Sequence, residues 1–225
     1  MDRRSGRLQF LAAAVLLAGA MLAAGGCHGI ATTAGHPVQG SNMAPDFAGL
    51  ENKKVVVVCR PLVGLQYRDA GAPRDLALQV GRLLAKNDPK IKVVDQQEVS
   101  AWTDEHAWNE FPEVGRVLRA DMVVGIDLTA FNLVEGTALY RGRATLDVKV
   151  FDLSQEKGRE VVFEKFFPQV AYPPNISIPF SDCPEPEFRH RFVLVLADEV
   201  ARHFYAYHEY ADVRMDSHFR PEPRP

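Results

Sequence analysis

Hydrophobic residues switch between two spacings along the chain, and the switches mark out its elements. Lys53–Arg60 (KKVVVVCR) carries a β-branched, almost wholly apolar run that stops at Pro61. So short a run without a polar face predicts a strand buried on both sides. From Pro73 to Asn87, Leu76, Val80, Leu83 and Leu84 recur at helical spacing, with Arg74, Asp75, Arg82 and Lys86 elsewhere. That pattern predicts an amphipathic helix with proline in its first turn. Ile91–Asp95 (IKVVD) reads as a second strand, and Gln96–Trp108 as a helix. Pro112–Ala120 reads as a further short helix with Val114, Val117 and Leu118 on one side.

Beyond residue 121 the spacing changes to period two. Met122, Val124, Ile126, Leu128 and Ala130 fall on one face of a predicted strand. Ala144, Leu146, Val148 and Val150 do so in the next, with Arg143, Thr145, Asp147 and Lys149 opposite. This alternation is that of strands with one covered face. Glu160–Phe167 predicts a third strand, joined to the second by a turn over residues 154–158. A Pro-rich loop, 172–187, precedes a closing helix with Phe188, Phe192, Leu196, Val200 and Phe204 in one stripe. The predicted order is βαβααβββα, a single α/β sandwich with helices packed on a mixed sheet over residues 53–208. Residues 209–225 read as a Pro-rich disordered tail.

The N-terminus has a different composition. A basic stretch, MDRRSGR, precedes an apolar run from Leu8 to Ala24 that ends in Gly25, Gly26 and Cys27. This is the three-part plan of a secretory signal over residues 1–26. The run is short for a span, which needs about 20 apolar residues, and its Ala and Gly insert weakly. Small residues directly before Cys27 resemble the bacterial lipoprotein processing box, with Ala24 in the place usually held by Leu. The resemblance implies that Cys27 is acylated, becomes the new N-terminus and anchors the chain in the bilayer. His28 after it implies sorting to the outer membrane, facing the periplasm. An ordinary signal peptide and an uncleaved anchor are the other readings of the same run. Residues 27–52, rich in Gly, Pro, Ser and Thr, read as a flexible tether with a typical reach of about 25–30 Å.

Charge narrows the function classes. Residues 1–26 carry Arg3, Arg4 and Arg7 against Asp2, leaving 23 basic and 28 acidic residues in the remainder. A mildly acidic body without a basic block offers no footprint for nucleic acid. No Gly-rich phosphate loop is present, and His106/Glu110 and Glu199/His203 read as ordinary pairs four residues apart. No cofactor, metal ligand set or catalytic residue is therefore predicted. Cys59 and Cys183 are a possible disulfide in an oxidising compartment, the alternative being two separate thiols. Cys183, seven residues before His190, would also be the nucleophile of a Cys-dependent hydrolase, but no orienting group accompanies it. Trp108 with Phe111, and Tyr172-Pro173-Pro174, are the candidate partner-binding residues, because tryptophan and exposed loops concentrate binding energy.

The element order, with IKVVDQQEV, VGRVLRADMVVGIDL and ATLDVKVFDLSQEKGREVVF, resembles the periplasmic lipoprotein domains related to the penicillin-binding-protein activators and the curli secretion lipoprotein. Ala120-Asp121 keeps that family's Ala-Asp pair, and Arg119 stands where a Gly is usual. The resemblance implies binding and assembly in the envelope, with an envelope protein as partner and no catalysis. The tether is shorter than those of many synthase activators, and no spare pair of membrane-spanning strands exists. The chain therefore reads as a membrane-anchored binding or scaffolding factor, with a small-ligand-binding periplasmic module as the alternative.

Overall fold

Val55, Val56, Val57 and Val58 are each at most 3% exposed, and the remaining elements assemble around them. The computed structural model describes residues 42–61 and 71–208. Cys27, the signal segment and the predicted tail lie outside the described residues. The elements in chain order are β1 (Asn42–Met43), β2 (Lys54–Pro61), α1 (Ala72–Asn87), β3 (Lys92–Val93), α2 (Gln96–Glu105), α3 (Phe111–Val117), β4 (Met122–Glu135), β5 (Leu139–Asp152), β6 (Val161–Tyr172), β7 (Ile178–Pro179), α4 (Glu185–Ala201) and β8 (Tyr207–His208). The main sheet runs β3-β2-β4-β5-β6, and β7 adds to β5. β2 is parallel to β3 and β4, whereas β4-β5 and β5-β6 are antiparallel. The architecture is the expected α/β sandwich on a mixed sheet.

Each face of the sheet has its own cover. Val55 and Val57 point with Val124, Ile126, Leu146 and Val148 into a core closed by α1 and α4. Val56, Val58 and Val123 point the other way, onto Val99 of α2 and Phe111, Val114 and Leu118 of α3. On β5, Arg143, Thr145, Asp147 and Lys149 are half-buried on this second face, alternating with buried Ala144, Leu146, Val148 and Val150 as the spacing predicts. The predicted α4 stripe is buried along its whole length, with Phe204 carried on a 3-10 turn after the helix.

Several expected details differ. β3 is reduced to two residues because Asp95, expected in the strand, accepts from the Gln97 N–H at 2.7 Å as the N-cap of α2. α2 stops at Glu105, where the ring and backbone nitrogens of His106 both meet the Trp102 carbonyl, so Trp108 lies in the following loop. In β4 a register shift between Leu128 and Ala130 turns Ala130 outward and gives its inner place to Phe131 and Leu133. Val117, expected on the packed side of α3, is 53% exposed. The stretch expected as tether supplies Leu50 to the core, and Phe47 packs on Phe163 with ring centroids 5.5 Å apart.

The end of α3 explains the position where the family resemblance expects Gly. Arg119 has φ +52°, the Ala120 N–H donates to the Gly115 carbonyl at 2.9 Å, and the Arg119 N–H donates to the Arg116 carbonyl at 3.2 Å. This pair of bonds is the Schellman closure of a helix, whose left-handed residue is ordinarily Gly. Replacing Arg119 by Gly removes the left-handed penalty at some cost in unfolded-chain entropy. Arg119→Gly is expected to raise stability by about 0.5–1 kcal/mol, read as a higher urea midpoint with an unchanged slope.

A clasp holds the residue 42–50 strap on β6 and on the 3-10 turn that follows α4. The Asp46 carboxylate accepts from Lys165 Nζ at 3.0 Å and pairs with His203 Nδ1 at 2.8 Å. Lys165, then His203, holds Asp46 below its ordinary value of 3.8 against the effect of burial. Burial, then the Lys165 charge, pushes His203 below its ordinary 6.5, and Asp46 pulls the other way without prevailing. A depressed folded value means stability that is complete above the unfolded value and lost as pH falls through the folded one, so acid loosens the strap from both partners. The Phe47 N–H donates to the His203 carbonyl at 3.0 Å. Its protection against hydrogen exchange, corrected for intrinsic rate, is expected to fall between pH 7 and pH 5; constant protection would take His203 out of the clasp.

Candidate functional site

Arg60 follows the buried valine run, and its side chain ties the carboxyl end of β2 to the middle of the parallel strand β4. β2 leads through α1 to β3 on one side, while β4 on its other side leads on to β5. Arg60 Nε donates to Asp127 Oδ1 at 2.8 Å, and Nη1 donates to the Asn109 carbonyl at 2.6 Å. Its Cζ lies 4.7 Å from the Phe111 ring centroid and 5.9 Å from that of Trp108. Gly125 makes the arrangement possible, because a Cβ there would come within 2.6 Å of the Phe111 ring. With no side chain in the way, that ring lies on β4, between the sheet and the guanidinium.

Beside this cluster is a hollow of about 430 Å³, within the range of small-ligand pockets. Its charged lining is three basic residues, Arg60, Lys149 and Lys157, against three acidic ones, Glu110, Asp127 and Glu160. Four of the six are paired, Arg60 with Asp127 inside the lining and Lys149 and Glu160 with residues behind it. Lys149 Nζ lies 3.1 Å from Asp147 and 3.0 Å from Glu164, and Arg116 pairs with Glu160. Lys149 is raised, through Glu164 first and then Asp147. Glu160 is lowered, with the Gly158 N–H as the leading cause. Asp127 and Asp147 stand directly opposite across β4 and β5, a like-charge pair offset by Arg60 on one side and Lys149 on the other. Such a set can hold a ligand of mixed charge. It has no nucleophile poised against a base.

The residues singled out from the sequence scatter. Trp108 is half-buried, its ring 5.7 Å from that of Phe111, and Phe111 itself is 4% exposed. Tyr172 and Pro173 are buried, Tyr172 against Phe188, leaving Pro174 exposed with its carbonyl accepting from Arg141 Nη2 at 2.7 Å. The 172–187 loop is pinned by β7 and by Phe180, whose ring lies 4.3 Å from that of Tyr140. Of the five expected partner-binding residues, Trp108 and Pro174 therefore reach the surface, and the other three carry packing. Cys59 and Cys183 are separate free thiols, so the possible bridge is not made. Burial raises both. Cys183, 3% exposed, has neither the access nor the thiolate that a nucleophile needs. Among the described residues no group of three or more His, Cys, Asp or Glu could hold a metal ion.

Arg60, Asp127 and Lys149 were not singled out from the sequence. Asp127 had the clearest signal, a lone carboxylate inside the apolar run MVVGIDL.

No family model and no curated protein matches the chain. Its fold is similar to solved structures. These include the PelC dodecamer from Paraburkholderia phytofirmans, at 11% identity and TM-score 0.43 over 72% of this chain and 93% of that one. The lipoprotein GNA1162 from Neisseria meningitidis is similar at 11% identity and TM-score 0.38, over 66% of this chain and 97% of that one. The LpoB C-terminal domain from Salmonella enterica is similar at 13% identity and TM-score 0.34, over 54% and 82%. At such identities no site residue transfers.

Trp108 shields one side of Arg60 and lies half-buried at the margin of the second core, so its truncation loosens the cluster and trims that margin without opening the core's centre. Trp108→Ala is expected to cost about 1–2 kcal/mol in stability. A loss of about 4 kcal/mol or more in thermal or urea unfolding would show that the ring is part of the core instead.

Proposed function

We propose that this chain is a non-catalytic factor of the bacterial cell envelope, anchored by acylated Cys27 to the outer membrane, that binds another envelope protein through the surface around Arg60 and Trp108. The observation that carries the reading is the Arg60 cluster. A cation fixed by Asp127 and the Asn109 carbonyl, stacked on Phe111 and edged by a half-buried Trp108, is rigid and amphipathic. Those are the qualities of an anchor residue at a protein interface. The neighbouring charges are largely held in ion pairs, which suits recognition by a preorganised surface.

The lipid anchor rests on the sequence alone, and no described helix is long and apolar enough to cross a membrane. A short tether would keep the domain near the bilayer, within reach of a membrane-bound partner. The 430 Å³ hollow favours one second reading, a small-ligand-binding module. Native mass spectrometry of the purified domain separates the two, since a ligand module would carry a bound small molecule of constant mass.

The anchor has its own test. Cys27→Ser is expected to move the chain from the membrane to the soluble fraction and to abolish labelling with a palmitate analogue. A variant that stays in the membrane with residues 1–26 attached would replace the lipid by a spanning helix. In cells, Trp108→Ala is expected to reduce photo-crosslinking to a defined membrane partner by about tenfold, the scale of a modest hot spot.

A further inference from the structure

A second concavity of the described surface lies across α2 from the Arg60 cluster's hollow and does not include Trp108 in its lining. It is a groove of about 530 Å³ walled by α1 and α2, with the open edge of β3 along its floor. Within β3, the Lys92 N–H donates to the Lys53 carbonyl and the Val94 N–H to the Val55 carbonyl, both at 2.9 Å. The alternation of a parallel ladder then turns the N–H and C=O of Val93 away from β2 and into the groove. No described strand pairs with β3 on that side. Gly81 brings α1 against this floor, since a Cβ there would lie 3.2 Å from Val93 Cγ1. Leu78 and Val93 are half-buried along it and Ala85 is exposed.

The charges of the groove are unevenly used. Arg74 is held by Asp104 at 2.7 Å, Asp95 is spent as the cap of α2, and Asp75 faces Arg189 at 3.8 Å. Arg82 is exposed in the lining without an ion-pair partner among the described residues. The groove therefore offers an unpaired backbone donor and acceptor, a strip of apolar contact and the Arg82 cation, while the Asp95 carboxylate, which has no ion-pair partner either, is set against the N-terminal dipole of α2. That combination is complementary to an extended polypeptide carrying a carboxylate.

We infer that the groove between α1 and α2 receives an extended acidic segment of the partner protein, which adds as a strand to the edge of β3 through Val93 and places a carboxylate on Arg82. The inference rests on the protein-binding reading and names a docking mode for it. Main-chain bonds to Val93 supply the affinity and Arg82 supplies the sign of the preferred charge.

Val93→Pro is a selective test, because it deletes the one N–H that points into the groove and leaves both bonds of β3 to β2 in place. The probe is a fluorescein-labelled hexapeptide, Thr-Val-Asp-Val-Thr-Val, followed by fluorescence anisotropy on the folded chain. A second peptide carries Lys for Asp, and a third is N-methylated on alternate amides. Wild type is expected to bind the Asp peptide at least tenfold more tightly than either control. Val93→Pro is expected to lose at least tenfold for the Asp peptide, and Arg82→Glu to reverse the preference between Asp and Lys. Absence of saturable binding to wild type, or equal binding by Val93→Pro, overturns the inference. Should Val93→Pro fail to fold, Arg82→Glu at an exposed site and the N-methylated peptide decide the same question. In membranes, a partner that crosslinks equally to wild type and to both groove variants overturns the groove while leaving the protein-binding reading intact. The lack of any crosslinked partner would remove that reading, and the peptide result would then stand alone.

Discussion

A strand with no polar face has to be covered twice. Val55–Val58 bury alternate side chains on opposite sides of the sheet, so β2 cannot lie at an edge or on an open face without exposing half of its valines. Parallel neighbours on both sides satisfy its backbone, and parallel neighbours require crossovers. The α1 crossover covers one face, and α2 with α3 covers the other. The βαβααβ half of the chain is therefore a consequence of four consecutive valines. The antiparallel half, with one buried face per strand, extends the sheet without further helices on the second side.

The same constraint places the site. Covering the second face chiefly over β3, β2 and β4 leaves a step beside the first turn of α3, where the half-open surface of β5 and β6 begins. At that step the buried run terminates in Arg60, which meets Asp127 in register on β4. Half-exposed ion pairs of this kind contribute little to stability on their own. Their value here is positional, because Phe111 and Trp108 fix the guanidinium in a plane that the sheet holds rigid. A rigid cation beside an aromatic surface is preorganised for a partner and loses little entropy on contact.

Element type and order were legible because each element is strongly periodic, and α4 shows this best, since all five residues of its predicted stripe are buried. The errors share a cause. Asp95 and His106 end elements through local side-chain bonds that a hydrophobic period does not register. The bulge after Leu128 shifts the inward face by one residue, which a strict period of two cannot foresee. The candidate site was less legible. Trp108 was recognisable by type, but Arg60, Asp127 and Asn109 belong to separate segments and meet only through the register of β2 with β4. Phe111 and Tyr172, marked by the same aromatic signal, are buried, Phe111 beneath Arg60 and Tyr172 against Phe188.

The two ends of the sheet treat their edges differently, and the contrast bears on where a partner strand can add. Among the described residues no strand pairs with the outer edge of β6, where Phe166 is 59% exposed, yet register shifts interrupt its pairing with β5 near both ends and Pro168 lies within one of them. Bulges and proline are the devices by which natural sheets discourage strand addition. β3 carries neither. It is short and regular, and it is recessed between two helices that exclude casual neighbours while leaving Val93 accessible to a narrow extended segment. An edge that is guarded by walls instead of by distortion admits an occupant of the right shape and charge, and the unpaired Arg82 beside it sets that charge as negative.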